Sequence, residues 1–289
     1  MSNKVKLKGH ESFSIREGWL TKGIIEVKNN DKIFSEKNAT DILGMGTNMV
    51  KSLKFWLTTS NLIVEDKKCS YKLSELGELI YKYDLYLEDI FSLYLIHNEI
   101  VKNNEKAVVW NYFFYKSNLR EFNKRELLEQ LEYLFDAEKL EYNEKMLIDD
   151  INILLKTYAN DEKNENPEIN FTCPLTELNL IKKINKDKYQ RINSNVDKLN
   201  VLIFYYCLLE QCNEKTSISI DELIKSDNGI ARTLNLSKNE INYYLEILKK
   251  EKYITVNKTA GLNMIYIHEK LNLKDIFEKY FEGEKKSEV

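Results

Sequence analysis

Between residues 35 and 73 the sequence prescribes an order of elements that few folds accommodate. Ser35 precedes a short helical segment, EKNATDILG, and Gly44-Met45-Gly46 makes a turn. Thr47 is placed to cap a longer helix running to about Ser60, in which Val50, Leu53, Trp56 and Leu57 recur at helical spacing as one apolar face. Residues 62–64 and 70–73 then read as two short strands around the charged turn EDKKC, and Ser74 caps a further helix, SELGELIYKYD. Short helix, turn, longer helix and hairpin is the order of a winged helix-turn-helix. A capped helix with a glycine close behind, as in YKLSELGELI, often follows the second wing strand.

The same order returns near the other end. Residues 220–224 suggest a helix and GIARTLN a second short one. Ser237 and Glu240 have capping-box spacing and open the helix KNEINYYLEILKKEKY. Strands at 254–256 and 264–267 flank the turn NKTAGLN. The two regions share order rather than sequence, so they are not an internal repeat. Between them, YLEDIFSLYLIHNEIV, AVVWNYFFYKS, NKRELLEQLEYLFDAEKL and EKMLIDDINILLKTYA predict four helices, acidic outside and packed by aromatic and leucine side chains inside. DEKNENPEIN (161–170) is the best linker, and PLTELNLIKKI and VDKLNVLIFYYCLLEQC beyond it read as helical.

With 9 Gly and 2 Pro in 289 residues, long helices are the default. The expected fold is mainly α, with two winged helix-turn-helix units flanking a helical middle domain. The expected divisions are an N-terminal winged-helix domain over 1–85, an acidic helical domain over 86–160, a linker over 161–172, a helical connector over 173–213 and a C-terminal winged-helix domain over 214–289.

Charge is informative only when partitioned. The whole chain carries −3, but residues 1–72 hold 13 Lys/Arg against 8 Asp/Glu, a net of +5, and residues 73–150 hold 9 against 17, a net of −8. Residues 151–213 (8 against 8) and 214–289 (13 against 13) are balanced. A basic first module facing an anion, beside a segment that avoids nucleic acid, is the simplest reading. No apolar run approaches the roughly 18 residues that cross a bilayer, and MSNKVKLKGH is not a signal peptide. The expectation is a soluble, cytoplasmic protein without a membrane partner. Cysteines 69, 173, 207 and 212 form no C-x-x-C pair, and the chain has only 3 His, which argues against both a disulfide framework and a zinc site. No cofactor or metal is expected.

On the first long helix, Asn48, Lys51, Lys54, Phe55 and Thr58 lie opposite the apolar face. Lysines suit phosphates and asparagine suits base edges. Lys67 and Lys68 sit at the wing tip. DNA contact is the expectation there, against a solvated helix on a docking module. On the second long helix the outward set is Lys238, Asn239, Asn242, Tyr243 and Lys249, with Lys258 in the wing; dimerisation or docking is as open as DNA contact because that domain is neutral. Residues 9–23 are dense in functional side chains. His10, Arg16 and Lys22 could form an anion clamp. The preferred reading packs Phe13 against Trp19 while His10, Glu11 and Arg16 satisfy one another. Paired acids such as Asp149-Asp150 and Glu88-Asp89 read as solvated faces, and His97 as a packed core residue. No Walker loop, G-x-S-x-G, H-E-x-x-H or dinucleotide fingerprint is present, and no active site emerges.

Four spaced stretches, GHESFSIREGWLTKG (9–23), ATDILGMGTNMVKSLKFWL (39–57), YDLYLEDIFSLYLIH (83–97) and CPLTELNLI (173–181), resemble the bacterial family called domain of unknown function 4007. The resemblance implies a neighbourhood rather than a reaction. Members of that family are often encoded near DNA phosphorothioation genes and sulfurtransferases, in clusters tied to phage defence. The resulting expectation is a non-enzymatic accessory protein of a DNA modification or restriction system that binds double-stranded DNA. Its alternatives are a docking adaptor for other proteins of the gene cluster, a regulator of its own operon and, last, a nuclease or sulfur-transfer component.

Overall fold

A computed structural model describes residues 4–159, 172–259 and 262–287. The chain divides at Ile192/Asn193 into two units.

The first unit begins with an extended strap whose Lys4 bridges in parallel to Glu141. α1 (Trp19–Asn29) buries Trp19, Leu20, Ile24 and Val27 along one stripe. A single turn of 3-10 helix at Ile33–Ser35 leads to α2 (Ala39–Leu43), which ends on Gly44 in the left-handed region (φ 59°). α3 (Thr47–Thr59) follows, with the expected Val50, Leu53, Trp56 and Leu57 buried. Gly46, rather than Thr47, stands at its N-cap. α1 approaches α3 closely at Gly23, where a Cβ would meet Leu57 Cδ1 at 2.4 Å.

β1 (Ile63–Lys67) and β2 (Ser70–Leu73) pair antiparallel from Ile63↔Leu73 to Lys67↔Ser70, with an irregularity between Glu65 and Lys67. α4 (Glu75–Tyr83) starts as expected on Ser74, whose Oγ accepts the Gly77 N–H at 2.9 Å. Gly77 is needed there because a Cβ would lie 2.1 Å from the Leu62 carbonyl oxygen.

The expected helices between 86 and 159 are present: α5 (Ile90–Lys102), α6 (Val108–Asn111) continuing into a π-helical turn at Tyr112–Lys116, α7 (Lys124–Ala137) and α8 (Glu144–Tyr158). Phe91, Trp110, Phe113, Phe114, Phe135 and Tyr158 are almost wholly buried among them. His97 is a core residue, its Nδ1 2.7 Å from the Tyr158 hydroxyl.

Beyond the linker expected over 161–172, whose residues up to 171 lie outside the described ones, the structure departs from the sequence reading. PLTELNLIKKI is not a helix. Pro174–Leu178 is a 3-10 turn packed on α5 and α8, and β4 (Ile181–Lys183) follows. β4 pairs with β5 (Lys188–Arg191), which also pairs with β3 (Glu121–Asn123), giving the order β3-β5-β4. The lysines mask a period-2 strand pattern in which Tyr189 and Arg191 point inward. Asn185 Oδ1 accepts the Asp187 and Lys188 N–H groups and turns the chain. Arg191 is 6% exposed and donates to the carbonyls of Phe113, Phe114 and Ser117, where a cation complements a helix C-terminus.

The second unit opens with α9 (Val201–Cys212), capped by Asn200. β6 (Ser217–Ser219) precedes α10 (Ile220–Lys225), α11 (Ile230–Thr233) and α12 (Lys238–Lys250). The Ser237–Glu240 capping box is formed in both directions. β7 (Ile254–Thr259) and β8 (Leu262–Ile267) make a hairpin that β6 extends to the order β6-β8-β7. α13 (Leu273–Ser287), which the sequence reading did not assign, closes the unit and packs on α9. The molecule is thus mainly helical with three small sheets among the described residues. No helix among them is long and apolar enough to cross a membrane.

Candidate nucleic-acid interface

The outward face of α3 is one wall of a groove of about 500 Å³. Lys51, Lys54, Phe55 and Thr58 follow the i, i+3, i+4, i+7 rule that puts side chains on one helix face, opposite the buried set. β1 and Tyr71 of β2 form the second wall, and the strap around Lys6–Gly9 forms the third. Lys106, from the turn after α5, completes the rim. Four lysines thus converge: Lys6, Lys51, Lys54 and Lys106. Among the described lining residues, Glu65 supplies the carboxylate.

These ammonium groups are only partly compensated. Lys51 reaches Glu11 at 3.8 Å and the Asn48 amide oxygen at 3.4 Å, both at the long end of such contacts. The Lys54 ammonium stands 5.2 Å from the centroid of the Tyr71 ring. Burial lowers the pKa of Lys106; the charges of Lys54 and Lys6 add to that effect, against Glu105 and Glu65. Asn48, Lys67 and Lys68 are exposed, the lysines at the hairpin tip.

The strap wall is held from behind. His10 is wholly buried, stacked on Trp56 at 6.2 Å and edge-on to Phe55 and Trp110 at 5.9 Å. Its Nδ1 accepts the Ser12 N–H at 3.1 Å, so the Nε2–H donates to Asp150 Oδ1 at 2.9 Å. That carboxylate oxygen also accepts the Lys8 N–H at 2.8 Å, and the Lys8 ammonium pairs with Asp149 at 2.7 Å. Lys8, Glu11 and Ser12 all have positive φ (64°, 49° and 66°), a strained arrangement that persists only where its surroundings fix it. Gly9 allows the closest approach, since a Cβ there would fall 2.5 Å from the Phe55 ring.

Three expectations change as a result. Both nitrogens of His10 are engaged inside an aromatic box, so it cannot join an external anion clamp with Arg16 and Lys22. The three side chains instead have separate partners. The Arg16 guanidinium lies over Phe13 and Trp19 at 5.6 and 5.3 Å, and the Lys22 ammonium donates to the Leu43 carbonyl at the end of α2. Phe13 does pack on Trp19, but His10 pairs with Asp150 rather than with Glu11 or Arg16. Asp150 is 2% exposed and is no solvated acid. Lys6, Tyr71 and Lys106 were missed because only tertiary structure brings them to α3.

In the second unit, Lys238, Asn239, Asn242, Tyr243 and Lys249 all lie on the exposed face of α12. Glu246 stands among them and reaches Lys249 at 3.4 Å. Among the described residues, no group of three or more His, Cys, Asp or Glu side chains could hold a metal ion.

The family model described as "Protein of unknown function (DUF4007)" matches residues 7–281. Two solved structures are similar throughout: a magnesium ion-bound SspB (TM-score 0.83) and SspB (TM-score 0.80). Each is 20% identical, over 96% of this chain and 88% of theirs. At this identity the likeness establishes a shared fold. No curated protein matches.

Proposed function

The chain belongs to the family described as protein of unknown function (DUF4007), and from that premise we propose that it is a non-enzymatic, DNA-binding accessory protein. The convergence of Lys6, Lys51, Lys54 and Lys106 around the outer face of α3 carries this reading. Bringing four ammonium groups to one groove raises the energy of the free protein, and a polyanion relieves that repulsion. In this reading α2, α3 and the β1–β2 hairpin act as a winged helix-turn-helix. Lys51 and Lys54 hold phosphates, Lys67 and Lys68 meet the backbone from the hairpin tip, and Asn48 reaches a base edge. The family resemblance extends the proposal to a bacterial DNA modification or restriction system, phosphorothioation-associated and tied to phage defence, acting in the cytoplasm.

Fluorescence anisotropy with duplex DNA at several salt concentrations tests it. Affinity is expected to fall steeply with salt, and the double variant Lys51→Ala/Lys54→Ala to flatten the logarithmic slope by about 2. Absence of binding at low salt, or a slope unchanged in the variant, overturns the proposal.

A second reading has its own observation. Tyr243 on α12 is 51% exposed on a face where Glu246 pairs with Lys249, in a segment whose charges balance overall, which suits a protein surface better than a phosphate backbone. The second unit then docks another protein of the same cluster.

A further inference from the structure

We propose that the groove beside α3 seats one unstacked nucleotide, its base against the Phe55 ring and its phosphate among the lysines. The inference rests on the DNA-binding reading and deepens it. The site is a concave groove between the helix, the hairpin and the strap. Its volume of about 500 Å³ lies within the roughly 300–1,000 Å³ of small-molecule pockets, room for a base with its sugar and not for paired strands.

The chemistry of the walls is zoned in the same way. Leu7, Phe55 and Val64 give an apolar interior with one half-buried aromatic ring, while Lys6, Lys54 and Lys106 stand around it. Aromatic rings stack on any base regardless of sequence, and a lysine rim tracks the phosphate. Thr58 and Asn61 add polar groups on the same wall; the Asn61 amide N–H donates to Glu99 at 3.0 Å, which fixes the side chain.

Rigidity supports the assignment. The Phe55 ring is wedged by Gly9 and His10, and the strap carrying them is tied to Asp149 and Asp150. A stacking platform held this way loses little freedom when a base arrives. Lys51, assigned to the proposed duplex contact, lines the same groove one helical turn before Phe55. A nucleotide leaving the duplex there needs to travel only a short way.

The test compares a matched duplex, the same duplex with one bulged 2-aminopurine, and free dAMP, each bound to the full chain. A bulged base has already lost its pairing, so it should bind more tightly by about fivefold or more, the lower end of base–aromatic stacking. Its fluorescence should also change on binding. Phe55→Ala and the groove-filling Thr58→Trp should both abolish the preference for the bulged over the matched duplex. A thermal melt confirms that each variant is folded. Equal affinity for both duplexes, or a preference surviving in both folded variants, overturns the nucleotide site while the DNA-binding reading stands. Binding of dAMP without any duplex affinity, lost in both variants, supports the site with a free nucleotide as its source and overturns the DNA reading. No binding of any probe overturns both.

Discussion

The α3 and α12 regions present the same succession of short helix, longer helix and hairpin, yet their outer faces are chemically unlike. Around α3, a strap from the N-terminal side and a turn after α5 raise walls that add Lys6 and Lys106 to the helix's own lysines. Around α12, Glu246 partners Lys249 on the same face, and Glu240 is committed to the capping box and to Asn193. One face concentrates positive charge in a concavity, and the other pairs part of its charge with a carboxylate on the same helix. The order of elements therefore supplies a frame, and the neighbours of the longer helix determine what the frame can bind.

The largest effect should come from the strap. Asp150→Ala leaves the buried His10 and part-buried Lys8 donors without an acceptor and should destabilise the first unit by about 3 kcal/mol. Urea unfolding followed by tryptophan fluorescence reads this directly, because Trp19, Trp56 and Trp110 all lie in that unit. A change below about 1 kcal/mol would mean the strap is not held as described.

Charge reversal comes next and bears most directly on the contrast. Lys51→Glu/Lys54→Glu should weaken duplex binding about a hundredfold at low salt, whereas Lys238→Glu/Lys249→Glu should change it less than about threefold. Equal losses from the two pairs would erase the distinction between the regions. A smaller effect is expected from Ser237→Ala, which removes one side of the capping box and should cost about 1 kcal/mol, measured by far-ultraviolet circular dichroism during unfolding.

The smallest effect is a pH dependence. Lys106 is lowered from its ordinary value by burial and by Lys54 and Lys6, against Glu105 and Glu65. A bound phosphate favours the charged ammonium, so binding takes up a proton and affinity falls as pH rises through the lowered range. Lys106→Arg stays charged and should hold its affinity about two- to threefold better than the parent protein at alkaline pH. Superimposable profiles for the two proteins would show that Lys106 does not face the ligand.

Much of what depends on neighbours in sequence was readable in advance: the apolar stripe of α3, the Ser74 cap, the Ser237–Glu240 box and the helices between 86 and 159, although α13 and the strand β4 were not. Pairing across distance was not. β3 meets β5 through Glu121↔Gln190, and nothing near either strand advertises the other. Charge partition put Lys51 and Lys54 in the basic stretch. It also assigned Lys106 to the acidic one, because a segment's net charge says nothing about where one of its turns points. Asp149 and Asp150 looked like a solvated pair for a similar reason. Neighbouring residues on a helix face different directions, and here both directions meet the strap.

Holding the strap on Asp149 and Asp150 has a consequence for the order of events on the ribosome. One wall of the groove is synthesised about 140 residues before its anchor. The nascent chain must carry Lys6 and Lys8 unplaced until α8 has emerged, so the groove is completed only after that helix although most of its residues precede it. A chain halted before residue 149 would possess α3 and its hairpin but lack the wall that makes the site concave.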